Sequence, residues 1–273
     1  MDKPVVLVTG CSSGIGREAV RHLAKAGALV VATARRTESI ADVARPGEVE
    51  CLRLDVADDA SRAACIAEVL ERFGRIDVLV NNAGYGANLT VEEMPPEKLR
   101  AMFEVNLFGA HDLMRRVLPA MRARGSGRIV NVSSVAGHIA VPMMGPYCAT
   151  KFALRALTQS LDNEVRRFGV RAVLVEPAWI ATDFGKRVIA EGLDEEAERR
   201  SPYANLYAFW RRRRSTPRGP PPAVVAKAIM HASLAQSPKF HNFVPVGAKF
   251  MNAGKRLLPD ALTSWSLRRY FSR

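Results

Sequence analysis

The stretch Val5-Val6-Leu7-Val8-Thr9-Gly10-Cys11-Ser12-Ser13-Gly14-Ile15-Gly16 decides the fold. Its apolar, mostly β-branched start reads as a short strand over 5–9, buried on both faces. Three glycines follow, and a helical pattern then runs over 14–26. Gly10 lets the chain reverse sharply, and Gly14 and Gly16 remove side chains where backbone must approach a pyrophosphate. The free N–H groups and positive dipole end of the next helix point at such a ligand. The spacing is GxxxGxG rather than GxGxxG, so the usual dinucleotide fingerprint does not apply directly. A purely structural tight turn is the other reading at this point.

Outward from this loop the same alternation repeats. Short apolar runs at 29–34, 49–55, 76–81, 128–133, 170–176 and 242–246 read as strands. Between them, 58–73, 97–124, 147–168 and 222–236 carry helical spacing. Such alternation predicts an α/β fold: a doubly wound parallel sheet, Rossmann-type, with helices on both faces. One domain is expected over 1–247, including a substrate-loop region at 183–222, with a helical tail over 248–273. The 183–222 segment has no strand pattern; it holds Tyr203, Tyr207, Phe209 and Trp210, then four arginines, Arg211 to Arg214.

Composition narrows the class. The 273 residues are 48% hydrophobic and 25% charged, as expected of a folded globule and not of a disordered chain. Lysine and arginine number 40 against 27 acidic residues, a net charge of +13 that favours anionic partners. No nucleic-acid motif or row of stacking aromatics accompanies that charge. The four cysteines form no CxxC pair, so a reduced, cytoplasmic protein is the default expectation. No apolar run approaches the roughly 18 residues of a membrane span. The run over 5–8 is too short for a signal-peptide core, so the mature chain is expected to start at residue 1. The five histidines show no ligand spacing, and no metal is expected.

The end of the second strand bears on the cofactor. NAD binders place an acidic residue there to bond the ribose hydroxyls. Here Ala34 takes that place and Arg35-Arg36 follow. Arginine attracts and bonds a 2′-phosphate that a carboxylate would repel. NADP(H) is therefore expected in preference to NAD(H); two solvated surface arginines are the plain alternative.

Tyr147 and Lys151 form a YxxxK pair on one face of a helix. A nearby ammonium favours phenolate and would bring the phenol, ordinarily near pKa 10, into usable acid–base range. The pair follows the strand at 128–133, whose end lies at the same carboxyl edge as the glycine loop. Ser134 stands there and can donate a hydrogen bond to a carbonyl or alkoxide oxygen.

Taken together these motifs resemble the short-chain dehydrogenase/reductase family. Thr9 to Gly16 is its TGxxxGIG, Asn81-Asn82-Ala83-Gly84 its NNAG, and Tyr147 and Lys151 its YxxxK, in family order. Ser134, 13 residues before Tyr147, matches the family serine better than Ser133. The resemblance implies that Tyr147 exchanges a proton with the substrate oxygen and that Lys151 assists it and bonds the nicotinamide ribose. It implies that Ser134 polarises the carbonyl and that Asn106 holds a water relaying protons. Cofactor contacts are implied for Gly10, Ser12, Ser13, Gly14, Ile15 and Gly16, for Asp55 and Val56 at the adenine, and for Asn82, Ala83 and Gly84. Pro177, Ile180 and Thr182 would face the nicotinamide side. Ala178 replaces the family's frequent glycine, which would be strained if that position needs a positive φ. The resemblance also implies a homodimer or homotetramer.

The substrate is expected to be a bulky apolar carbonyl or alcohol, steroid-, retinoid- or long-chain-like. Phe184, Leu193, Leu206, Tyr207, Phe209 and Trp210 could line its pocket, with His138, Met143 and Met144 from the loop after the fifth strand. Trp179 either walls the site or joins the core. A non-catalytic NADP-binding sensor or scaffold stays open, as does a reductase of CoA- or acyl-carrier-linked substrates meeting Arg211 to Arg214. The tail has the look of a basic amphipathic helix; docking on the protein's own core or a second subunit is favoured over a membrane surface.

Overall fold

The computed structural model describes residues 3–184, 188, 191–214, 219–249 and 259–271. Seven strands make one sheet: β1 (Val5–Val8), β2 (Leu29–Ala34), β3 (Val49–Arg53), β4 (Val78–Asn81), β5 (Gly127–Val132), β6 (Val170–Pro177) and β7 (His241–Val244). Their order is β3-β2-β1-β4-β5-β6-β7, and every pairing is parallel. The strand order reverses between β1 and β4, which opens a crevice at their carboxyl ends.

Alternate residues of β1 feed opposite layers, as strand geometry requires. Val6 and Val8 pack with Ala19, Val20 and Leu23 of α1 (Gly14–Lys25). Val5 and Leu7 pack with Ile66 and Val69 of α2 (Asp59–Phe73). On that second face lie also Leu113 and Val117 of α4 (Gly109–Arg124), which α3 (Pro96–Phe103) precedes. The chain continues through α5 (Gly145–Val165), α6 (Glu195–Arg200), α7 (Ala204–Arg214), α8 (Pro222–Leu234) and α9 (Asp260–Phe271). Val225 and Ile229 of α8 complete the first face.

Three features bear on the expected elements: the first departs from them, and the other two fill in what the sequence left open. The single helix expected over 97–124 is broken by a π-helical turn, Glu104–Phe108, between α3 and α4. Gly109 lies against the Val56 carbonyl so closely that a Cβ would stand 2.1 Å from its oxygen, so the chain passes β3's exit with backbone alone. Among the described residues of the strandless 183–222 segment, two helices form, α6 and α7, and Tyr207, Phe209 and Trp210 of α7 join the buried cluster that holds Tyr147. Within α7, Arg211 pairs with Glu195 and Glu198, while the side chains of Arg213 and Arg214 lie outside the described residues. Finally, α9 docks on the chain's own surface: Phe271 is buried and Leu267 partly so, against Phe209 and Trp210 of α7. Lys255, Arg256 and Leu258 of the expected tail lie outside the described residues.

Candidate active site

The glycine loop crosses the carboxyl ends of β1 and β4. Gly10 has a φ of 72°, and a Cβ there would stand 2.8 Å from the Ala83 Cα. A Cβ on Gly16 would stand 2.3 Å from the Gly10 carbonyl oxygen. Only hydrogen fits at either position. Asn82 Nδ2 donates to the Thr9 and Gly10 carbonyls at 2.9 and 3.1 Å. Thr9 Oγ1 accepts from the amides of Asn82 and Ala83. The resemblance assigned Asn82 to the nicotinamide ribose region; in the structure its side-chain amide pins the loop to β4.

α1 starts at Gly14, with no capping bond from the Ser13 side chain and no acidic residue in its first turn. Its N-terminal dipole therefore faces the loop without a protein carboxylate against it. Ile15 turns back onto the core, and the Ser12 carbonyl takes a 3.0 Å bond from Arg17. A Cβ on Gly14 would touch the Thr182 side chain at 3.5 Å, so the segment after β6 reaches the loop. Arg35 and Arg36 are exposed where β2 ends. After β3, Asp55 Oδ1 accepts from the Ala57 amide at 3.0 Å, and the Val56 carbonyl is held by Arg62 at 2.7 Å. A side-chain-free cradle, a helix N-terminus and two exposed arginines fit the phosphates of a dinucleotide.

The reactive groups gather beside this cradle. Tyr147 and Lys151 lie one turn apart on α5, both buried, with Lys151 Nζ 5.7 Å from the Tyr147 ring centroid. Lys151 Nζ donates to the Val132 carbonyl at 2.9 Å. Ser134 Oγ donates to the Pro177 carbonyl at 3.2 Å and accepts from the Ala136 amide at 3.1 Å. Asn106 lies in the π-helical turn, a feature frequent at functional sites. Its side chain bonds both the amide and the carbonyl of Tyr85, at 3.0 and 2.8 Å, and Thr150 Oγ1 at 3.1 Å. A Cβ on Gly84 would stand 3.0 Å from Asn106 Oδ1 and 3.6 Å from Lys151 Nζ, so the NNAG turn seals these groups together.

Burial dominates their protonation. It pushes the Tyr147 phenol well above its ordinary value, with the Ser134 hydrogen bond pulling the other way. It lowers Lys151 from 10.5 to about 8. The expected lowering of Tyr147 by Lys151 is thus not the leading effect: both groups are desolvated, and the ammonium is bonded to a backbone carbonyl. The strain anticipated at Ala178 is absent. Its amide donates to the Val244 carbonyl at 2.7 Å, and Met143, at φ 65°, is the only non-glycine residue of positive φ among the described residues.

An apolar wall surrounds Tyr147: Met143, Met144, Tyr207, Phe209 and Trp210 are buried around it. The Phe184 ring lies 5.5 Å from that of Tyr147. Trp179 is 60% exposed and rests outside this wall, 5.8 Å from the Trp210 ring. Glu93 ties the covering helices down, accepting from Tyr207 Oη at 2.7 Å and Ser201 Oγ at 2.6 Å.

His138 is buried, with both ring nitrogens turned to protein partners. Its Nδ1 lies 2.6 Å from the Arg155 guanidinium and its Nε2 2.6 Å from Glu176 Oε1. A guanidinium only donates, so Nδ1 accepts and Nε2 carries the hydrogen. Both ring nitrogens are thus engaged by protein, which leaves neither for a substrate. His241 Nδ1 bonds the other Glu176 oxygen at 2.8 Å. These ligand atoms lie within 4.8 Å of one another, as a metal site would require. A metal-bound imidazole donates its outer N–H to an acceptor, however, and here that position faces Arg155. Sequence reasoning missed Arg155, Glu176 and His241. Only Glu176, a charge inside an apolar strand, was a visible signal.

The family model for short chain dehydrogenase matches residues 4–192. The chain belongs to the short-chain dehydrogenase family. It is 29% identical to 3-ketodihydrosphingosine reductase of Bacteroides thetaiotaomicron over 276 residues, covering 100% of this chain and 99% of the relative. It is 39% identical to 17-beta-hydroxysteroid dehydrogenase type 1 of Homo sapiens over 195 residues, 67% of this chain and 59% of the relative. A short-chain dehydrogenase from Streptomyces avermitilis superposes with a TM-score of 0.81 at 35% identity, covering 100% of this chain and 99% of that one. A metagenomic short-chain oxidoreductase in complex with NADP gives 0.70 at 32% identity, over 88% and 96% of the two chains. A short-chain dehydrogenase/reductase from Burkholderia phymatum in complex with NAD gives 0.78 at 30%, over 92% of each. This short-chain dehydrogenase is accordingly an oxidoreductase that uses a nicotinamide cofactor. Among its described residues no helix is long and apolar enough to cross a membrane.

Proposed function

We propose that the protein interconverts a carbonyl and an alcohol on a bulky apolar substrate, with NADP(H) preferred over NAD(H). The observation that carries this reading is the gathering of Ser134, Tyr147, Lys151 and Asn106 beside the glycine cradle, under an apolar wall. The bound dinucleotide supplies or accepts hydride. Ser134 turns its hydroxyl from the Pro177 carbonyl to the substrate oxygen. Tyr147 gives that oxygen a proton in reduction and takes it back in oxidation. Lys151 holds positive charge beside the phenol and bonds the nicotinamide ribose, while Asn106 keeps the π-helical turn open for a proton-relaying water. Asp55 and Val56 meet the adenine; Pro177, Ile180 and Thr182 meet the nicotinamide. Arg35 and Arg36, exposed at the end of β2, bond the 2′-phosphate. Relatives named for 3-ketodihydrosphingosine and a hydroxysteroid support an apolar substrate. The exposed Phe108 and Leu157, at 51% and 38%, suit a homodimer or homotetramer.

The test is NADPH oxidation against a carbonyl panel, beside NADH and a Tyr147→Phe control. Turnover with bulky apolar ketones, reduced at least about 100-fold in the control, is expected. Saturable NADPH binding without turnover on any carbonyl would favour a non-catalytic sensor. Unchanged preference between the two cofactors in Arg35→Asp would remove the role given to that arginine.

A further inference from the structure

We propose that Arg17 and Asp42 form a charge pair that sets the preference between the two cofactors, Arg17 cancelling a carboxylate that would otherwise repel the 2′-phosphate. This rests on the reading of Arg35 and Arg36 as 2′-phosphate ligands. Arg17 lies in the first turn of α1, one residue past Gly16. Its Nη1 donates to the Ser12 carbonyl in the glycine loop at 3.0 Å and to the Ser39 carbonyl at 3.2 Å. Its Nη2 donates to Asp42. Ser39 and Asp42 belong to the 3₁₀ turn Thr37–Val43, which begins directly after Arg36. The guanidinium therefore bridges the two segments that flank the end of β2, where Arg35 and Arg36 emerge.

Asp42 is the charge that this geometry makes consequential. Its side chain is more than half exposed, and its bond to Arg17 holds its carboxyl below the usual range, so it is ionised at neutral pH. A bare carboxylate on the turn that follows Arg36 works against a phosphate held by Arg35 and Arg36, salt screening it only in part. Paired, it contributes little field. An exposed ion pair of this kind adds little to fold stability, so its effect is sought on the ligand. Of the neighbouring charges, Arg21 adds only a weaker, longer-range attraction to Asp42. Arg21 is bonded to Glu18 at 2.6 Å, and Glu38, on the same turn, bonds the Thr37 hydroxyl.

The experiment is titration of NADPH and NADH by cofactor fluorescence on the full chain, comparing wild type, Arg17→Met, Asp42→Asn and the double variant. Arg17→Met is expected to weaken NADPH about tenfold more than NADH, a difference of about 1.4 kcal/mol, whatever loss both cofactors share from the Ser12 contact. Asp42→Asn, at an exposed position, is expected to tighten NADPH about two- to fivefold, because Arg17 is then freed for the phosphate. The double variant is expected to recover most of the NADPH affinity lost in Arg17→Met. Equal weakening of both cofactors in Arg17→Met, with no recovery in the double variant, would overturn the proposal and leave Arg17 as a loop clamp. So would an unchanged or weaker NADPH affinity in Asp42→Asn. Equal binding of both cofactors by wild type would instead remove the NADPH reading itself, and this inference with it.

Discussion

Lys151 is a buried amine bonded to a backbone carbonyl, with a pKa brought from 10.5 down to about 8. The folded value lies below the unfolded one, so the native state holds fewer protons between about pH 8 and 10.5. Stability from this group therefore rises with pH across that window, and the cost of burying the ammonium is fully present below it. Lys151→Met is accordingly expected to melt higher than wild type at pH 7, by roughly 2–4 °C per kcal/mol relieved. The difference should shrink towards pH 10.5. Thermal melts at both pH values check this, and a lower melting point at pH 7 would contradict it. YxxxK was legible as spacing; the desolvation that governs both groups was not, because burial depends on what α5 packs against.

The element scale is where sequence periodicity fell short. Residues 97–124 keep helical spacing throughout, yet the helix widens at Glu104–Phe108, where Asn106 bonds Tyr85 backbone from another segment. α2 and α4 are joined by charge. Asp112 of α4 bonds Arg62 of α2 at 2.7 Å and takes further bonds from Arg115 and Arg116. These arginines hold its carboxyl well below its ordinary value. Its contribution is therefore present above the unfolded pKa of 3.8 and is lost as pH falls through the folded one. Arg62 is nearly buried and also carries the Val56 carbonyl. Removing its closest carboxylate in Asp112→Ala, which leaves Arg62 with Asp59 at 3.1 Å and Glu104 at 3.9 Å, is expected to destabilise by about 1–3 kcal/mol, as for a lost hydrogen bond to a charged group. Urea unfolding at pH 7 measures this; a loss below about 0.5 kcal/mol would mean that Asp59 and Glu104 satisfy Arg62 without Asp112.

Across the whole molecule, α7 and α9 form one aromatic cover, with the Phe209 and Phe271 rings 4.9 Å apart and the Trp210 and Phe271 rings 5.6 Å apart. A chain ending at residue 258 would expose that cluster while leaving the glycine cradle intact. Such a truncation is expected to keep NADPH affinity within about twofold and to raise KM for an apolar ketone about tenfold, since the cover orders only the substrate side. Parallel loss of NADPH binding would show that the cover also supports the cradle. The sequence by itself determined the parallel sheet, the glycine turn and the family, because strand length, glycine placement and YxxxK spacing are local properties of a chain. It left Asn82 as a pin for the glycine loop, His138 as a partner of Arg155 and Glu176, and the Arg17–Asp42 bridge to be decided by the tertiary structure. Each of those is a contact between segments distant in the chain. Which one forms depends on how the sheet edge brings their side chains within hydrogen-bond reach, and periodicity carries no record of that.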